Sequence, residues 1–117
     1  MQAEAINFYE RCRVNMVKNQ LMTLDVHNPD LLEHFLCIPR ELFVSENYNG
    51  VCYADDSLND EGNFMMRPEY LFKTLDALQI KKSDSVLVAN AGFGYIPSVI
   101  SLYKCKVLAI ETNKNSL

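Results

Sequence analysis

The stretch 85–101, SVLVANAGFGYIPSVIS, decides the fold of this chain. A short apolar run is followed by two glycines and then by apolar residues at helical spacing. This order predicts a strand at 86–89, a tight turn at Gly92 and Gly94, and a helix over about 95–103. The strand is apolar on both faces, so it is expected to be covered on both, as central strands of parallel sheets are.

The apolar run KVLAI at 106–110 predicts a second strand, so the region forms one β-α-β unit. Ligands of such sheets bind beyond the carboxyl ends of the strands, where glycines admit them close to the backbone. Glu111 ends the second strand and could accept hydrogen bonds from ribose hydroxyls. The third glycine of the dinucleotide fingerprint is missing, which favours an adenosyl cofactor over a dinucleotide. The alternative is a tight turn that uses glycine and binds nothing.

The residues before this unit predict three helices. The first covers about 6–24, where apolar positions recur at helical spacing. In the second, Asn28 caps the free N–H groups, Pro29 fits the first turn, and Pro39 ends the helix. The third covers 68–80.

The stretch from 45 to 66 has no sustained period and is rich in asparagine, aspartate and glycine. An irregular segment of this length in a small domain is usually functional or mobile. Asp55 and Asp56 invite an acid/base interpretation, but a solvated loop pair is the favoured one. His27 and His34 have no partner pattern that indicates catalysis.

Composition bounds the class of protein. At 117 residues, with 49% hydrophobic and 22% charged residues, the chain is expected to be one small globular domain. A net charge of -4 argues against nucleic-acid binding, and no apolar run reaches membrane-spanning length. The N-terminus lacks a signal-peptide layout, and four scattered cysteines predict buried reduced thiols without a metal site. A cytoplasmic protein is therefore expected.

Four motifs in order carry a resemblance to a known family: RVNMVKNQL (13–21), CIPRELFV (37–44), YADDSL (53–58) and VLVANAGFGY (86–95). Together they resemble the protein-L-isoaspartate O-methyltransferase family. These enzymes use S-adenosylmethionine to methylate the carboxyl group of damaged aspartyl residues. The resemblance covers about residues 6–117.

The resemblance implies an α/β fold: N-terminal helices plus the first β-α-β unit of a Rossmann-like methyltransferase sheet, incomplete at the C-terminus. It implies one truncated domain, with a helical and irregular section at 1–67 and the cofactor unit at 68–117. Glu111 would hold the ribose of S-adenosylmethionine, and the irregular stretch would line the side of a damaged protein or peptide substrate. The turn residues implied to lie against the methionine part are Asn90, Ala91, Gly92, Gly94 and Tyr95.

The chain departs from the family pattern at the site itself. Val88 replaces a common acid, Asn90 replaces a glycine, and Phe93 replaces a small residue between the glycines. Met66 occupies the usual hydroxyl position, so no catalytic residue is assigned. A complete family member is also longer. These departures predict weak or lost cofactor binding and no activity of the 117-residue chain alone.

The alternative function is a non-catalytic, degenerate fragment that binds a partner or itself. Two parallel strands alone leave unpaired edges, which pair readily with another chain. A homodimer is therefore expected, since two-fold symmetry is the commonest closed arrangement. Arg40 is interpreted as structural, fixing the loop after the second helix by hydrogen bonds.

Overall fold

The computed structural model describes residues 2–54, 56–60 and 62–111. Helices and strands are mixed, as the α/β prediction requires. The α-helices are α1 (Gln2–Met16), α2 (Pro29–Cys37), α3 (Pro68–Leu78) and α4 (Tyr95–Ser101). The strands are β1 (Leu58–Asp60), β2 (Asn63–Met65), β3 (Ser85–Ala89) and β4 (Lys106–Ile110). Short 3₁₀-helices cover Arg40–Phe43 and Glu46–Tyr48.

The first helix does not continue as a regular α-helix to residue 24. After α1 the chain forms a π-helix over Val17–Leu21, and the amide of Met22 donates to the carbonyl of Val17 at 2.8 Å. Met16, Val17 and Leu21 are all buried. A π-turn is wider by one residue than an α-turn, so it changes which positions face the core.

The predicted start of α2 is confirmed. Asn28 Oδ1 accepts a hydrogen bond from the amide of Leu31 at 3.1 Å, and Pro29 lies in the first turn. The Asn28 amide also donates to Asp76 Oδ1 of α3 at 2.8 Å. One side chain therefore caps α2 and ties it to α3.

The segment between 45 and 66 is not wholly irregular. β1 and β2 pair as an antiparallel hairpin, with Leu58 opposite Met65. Asn59 Oδ1 accepts from the amide of Gly62, whose φ of 84° suits glycine. Phe64 is exposed, whereas the paired Leu58 and Met65 lie in the core. The hairpin therefore anchors this segment on the rest of the domain.

The predicted order of strand, turn, helix and strand is confirmed at 85–110. β3 and β4 are parallel, with Ser85 opposite Lys106 and Ala89 opposite Ile110. The helix between them ends at Ser101, two residues earlier than predicted, before a turn in which Lys104 has a φ of 62°. The described residues contain two sheets of two strands each.

One core joins the N-terminal helices to the β-α-β unit. Phe35 of α2 and Phe72 of α3 are fully buried, with ring centroids 5.7 Å apart. Val99 of α4 is also fully buried in this cluster. On the same side, Val86 and Val107 of the parallel strands pack against it.

The other face of the parallel pair is exposed, so the expectation that both faces are covered is wrong for the described residues. Leu87 is 60% exposed, Leu108 62% and Ile110 46%. Leu87 pairs with Leu108, and Ile110 comes two residues later on the same face. These three residues form the exposed sheet face.

No helix within the described ranges is long and apolar enough to cross a membrane.

Candidate functional site

The turn after β3 is built from left-handed backbone. Asn90, Gly92 and Gly94 have φ values of 54°, 60° and 93°. Asparagine is one of the few side chains that adopts this region routinely. The replacement of glycine by Asn90 therefore keeps the backbone shape of the turn.

Two hydrogen bonds tie this turn to the end of β4. The amide of Ala91 donates to the carbonyl of Ile110 at 3.0 Å, and the amide of Gly92 donates to Glu111 Oε2 at 2.5 Å. Strand register explains the meeting, because Ala89 and Ile110 lie opposite each other in a parallel pair. The structure thus brings Ala91, Gly92 and Glu111 together at the carboxyl ends of the parallel strands, and their contact with a cofactor stays a prediction.

The hairpin covers one side of the turn. A Cβ placed on Gly92 would lie 3.5 Å from the carbonyl oxygen of Phe64. The cavity between hairpin and turn has a volume of only about 10 Å³, and Met65 and Phe93 are among its walls. One water molecule needs about that much space. A Cβ on Gly94 would meet nothing within 4 Å, so the turn is open on that side.

Tyr95 lies in the core and not on the open side of the turn. It is 2% exposed, and its ring contacts Phe43 edge-on at 5.6 Å. The guanidinium carbon of Arg40 lies 4.8 Å from the centre of the Tyr95 ring. Burial raises the pKa of Tyr95, although the Arg40 charge acts to lower it. The phenol is therefore neutral at physiological pH.

Arg40 is fully buried, and its hydrogen bonds support the structural role predicted from the sequence. Nε donates to the carbonyl of Cys52 at 2.5 Å, and Nη2 donates to the carbonyl of Met66 at 2.9 Å. The backbone amide of Arg40 donates to the Tyr53 hydroxyl at 3.0 Å. The main chain of Met66 is therefore held by a buried guanidinium.

Tyr53, whose contacts the sequence did not indicate, is a buried residue next to Arg40. Its hydroxyl donates to Glu41 Oε1 and accepts from Arg13 at 3.4 Å. Arg13 also lies 3.6 Å from Glu41. The pKa of Tyr53 is raised mainly by burial and to a smaller extent by the Glu41 carboxylate. These three residues come from distant segments, so no local pattern could have indicated the contact.

The structure describes one of the two loop acids, Asp56. Asp56 is exposed, and its carboxylate accepts from the amide of the next residue, Ser57, at 2.8 Å. That contact is typical of a polar turn. Asp55 lies outside the described residues. His34 packs edge-on against Tyr103, with ring centroids 4.4 Å apart, and burial lowers its pKa.

The prediction of buried thiols holds for one cysteine and is wrong for another. All four cysteines are free, but Cys37 is exposed and Cys12 and Cys105 are partly exposed. Cys37 is the last residue of α2, two positions after the buried Phe35. Burial raises the pKa of Cys52 to about 11. Within the part of the chain that the structure describes, no cluster of three or more His, Cys, Asp or Glu residues could hold a metal ion.

The fold and site together define an α/β protein in which a glycine turn after one parallel strand meets an acid after the next. A family model described as protein-L-isoaspartate(D-aspartate) O-methyltransferase matches residues 13–116. The chain belongs to this family.

Curated relatives cover almost all of the chain. It is 29% identical over 111 residues to a protein-L-isoaspartate O-methyltransferase of Methylorubrum extorquens, covering 94% of this chain and 49% of the relative. It is 30% identical to protein-L-isoaspartate O-methyltransferase 2 of Pelobacter propionicus, and the match covers 95% of this chain and 50% of the relative. It is 33% identical to protein-L-isoaspartate O-methyltransferase 2 of Shewanella sediminis, and this match covers 88% of the chain and 43% of the relative. The chain spans about half the length of these relatives.

Proposed function

We propose that this chain carries the cofactor-binding unit of a protein-L-isoaspartate O-methyltransferase, with the β-α-β unit forming part of a Rossmann-like sheet. The observation that carries the proposal is the contact between Glu111 and the amide of Gly92. It places an acid and a glycine turn at one edge of a parallel pair, where adenosyl cofactors bind. We further propose a cytoplasmic setting, in which the free thiols stay reduced.

The residues fit the polar part of S-adenosylmethionine. Glu111 supplies a carboxylate that can accept from ribose hydroxyls, and the open side at Gly94 leaves room for a ligand near the backbone. The side covered by the hairpin does not fit, because its cavity is about the size of one water molecule. The cofactor is therefore proposed to lie on the open side of the turn.

The bound cofactor would supply an activated methyl group. The acceptor carboxylate is already charged at neutral pH, so the protein needs to position it and exclude water more than to remove a proton. The absence of a hydroxyl at Met66 is compatible with this chemistry. Positioning requires rigid walls, however, and half of a family member's length supplies only some of them. We propose weak cofactor binding and no methyl transfer by the 117-residue chain alone.

Calorimetric titration of the chain with S-adenosylmethionine and with its demethylated product tests this function. The expected result is saturable binding with a dissociation constant weaker than about 1 μM. A sub-micromolar constant would contradict the weak-binding proposal. No saturable heat at millimolar ligand would reject the cofactor function altogether. In parallel, an isoaspartyl peptide should receive no labelled methyl group above a control without protein.

A second candidate function, self-association, is favoured by the exposed sheet face of Leu87, Leu108 and Ile110. We propose a second copy of the chain as its occupant. A stable interface buries roughly 800 Å² per partner, more than three side chains provide. The outer strand edges would supply the rest, because β3 and β4 pair only with each other within the described residues.

Sedimentation equilibrium at micromolar concentration tests the dimer. Leu108→Glu places a charge on the exposed sheet face and should give a monomer. Leu42→Glu is the matched control, because Leu42 is 74% exposed and lies outside the parallel strands. It should leave the dimer intact. A wild-type monomer at all concentrations, or equal effects of both variants, would reject this proposal.

A further inference from the structure

Arg40 is a buried cation whose charge no described carboxylate neutralises. It has no exposed surface, and one of its terminal nitrogens, Nη1, has no hydrogen-bond partner among the described residues. The described acid next to it in sequence, Glu41, contacts Arg13 and Tyr53. Burying a charge without a counter-ion costs several kcal/mol unless other polar groups compensate. A residue kept at that cost requires a specific explanation.

The compensation comes from three separate segments. The carbonyl of Cys52 precedes the hairpin, and the carbonyl of Met66 precedes α3. The third group is the ring of Tyr95, which is the first residue of α4 and follows the glycine turn directly. A guanidinium is planar and rigid, so its contacts fix the relative positions of the groups it touches. A cation over an aromatic ring adds an attraction that strengthens when water is excluded.

We infer that Arg40 is a positioning residue for the cofactor turn. One guanidinium sets the spacing between the main chain at Met66, on the proposed substrate side, and the helix that starts at Tyr95, on the proposed cofactor side. The assignment of a substrate side and a cofactor side rests on the proposed function. The spacing between Met66 and Tyr95 can be tested without a ligand. Lysine would keep the charge and lose the planar fork, so Arg40→Lys is the informative variant.

The four glycines of the chain provide the readout. Labelling with ¹⁵N-glycine gives amide resonances for Gly50, Gly62, Gly92 and Gly94 alone. In Arg40→Lys, the resonances of Gly92 and Gly94 should shift or broaden. The Gly62 resonance should stay in place, since its amide bonds within the hairpin turn to Asn59.

Leu31→Val is the matched control for a general loss of stability. Leu31 is fully buried in α2 and is not among the described hydrogen-bond or ring partners of Arg40, and removal of one methylene costs about 1 kcal/mol. Its Gly92 and Gly94 resonances should match those of the wild type. Unchanged glycine resonances in a folded Arg40→Lys protein, or the same shifts in Leu31→Val, would overturn the inference.

A second substitution covers the case in which Arg40→Lys does not fold. Arg40→Met removes the charge and fills most of the volume, a change that buried ionic sites often tolerate. It should give a folded protein with the same disturbance at Gly92 and Gly94. If neither variant folds, Arg40 serves folding in general and the positioning role is rejected.

Cofactor titration separates this inference from the proposed function. If the wild type binds S-adenosylmethionine, Arg40→Lys should bind it roughly tenfold more weakly, because misplacement of a site is costly. Equal affinity in the two proteins would overturn the inference. If the wild type binds none, the proposed function fails, and the glycine resonances still decide the role of Arg40.

Discussion

Replacement of Glu111 by alanine tests the contact on which the site is built. Gly92 is buried, and its amide donates to the Glu111 carboxylate. A hydrogen bond to a charged group contributes about 1.5–3 kcal/mol, and a buried amide left without an acceptor carries the cost of its lost hydration. Glu111→Ala should therefore lower the free energy of unfolding by about 2 kcal/mol. Glu111→Gln keeps a neutral acceptor and should lose about half as much.

Urea and thermal unfolding, followed by circular dichroism, measure these differences. In a domain of about 100 residues, each 1 kcal/mol lowers the melting temperature by roughly 4–8 °C. Glu46→Ala is the control, because Glu46 is exposed in a short 3₁₀-helix and should change stability by less than about 0.5 kcal/mol. If Glu111→Ala is as stable as the control, the carboxylate does not brace the turn. Both Glu111 variants should also weaken any binding of S-adenosylmethionine.

Three further predictions concern other parts of the chain. Asn28→Ala should cost about 1–2 kcal/mol in urea unfolding, because it removes the cap of α2 and a hydrogen bond to α3; a loss below about 0.5 kcal/mol would contradict the capping role. A thiol reagent at pH 8 should modify Cys37 at least roughly 100-fold faster than Cys52, because Cys37 is exposed and burial raises the pKa of Cys52 to about 11. Mass spectrometry after short exposure measures both rates, and equal rates would refute the burial of Cys52. Burial lowers the pKa of His34 in the folded state, so the unfolded state binds the proton more readily and stability falls as pH drops below about 6.5. His34→Gln should reduce this loss between about pH 7.5 and 5.5, whereas His27→Gln, a change at an exposed histidine, should not.

Local patterns were sufficient for the elements that are specified locally. The β-α-β unit is predicted by apolar runs on either side of Gly92 and Gly94, and the start of α2 is predicted by Asn28 and Pro29. In each case, residues close in sequence supply the glycines, the cap or the apolar period that defines the element. The glycine turn also belongs to one of the motifs that carry the family resemblance, and the family match confirms that resemblance.

The elements that the sequence did not reveal depend on distant contacts or on very short segments. β1 and β2 have three residues each, too few to show alternation, and Asn59 and Asp60 are poor strand formers. At the site, the meeting of Glu111 with the glycine turn could be expected from parallel topology. The contacts of Arg40 with Cys52, Met66 and Tyr95 could not, since they join segments that only the folded core brings together.

The π-helix at Val17–Leu21 also determines which changes in chain length this family member can accept. A π-turn is equivalent to one residue inserted into an α-helix. Deletion of one residue there would favour regular α-helix, but it would rotate α1 by about 100° relative to the chain after Leu21. Tyr9 and Cys12, which pack against the core, would then turn away from it. The position of this extra residue is thus fixed by the phase between two helical segments, and a compensating insertion on the α1 side should restore the packing.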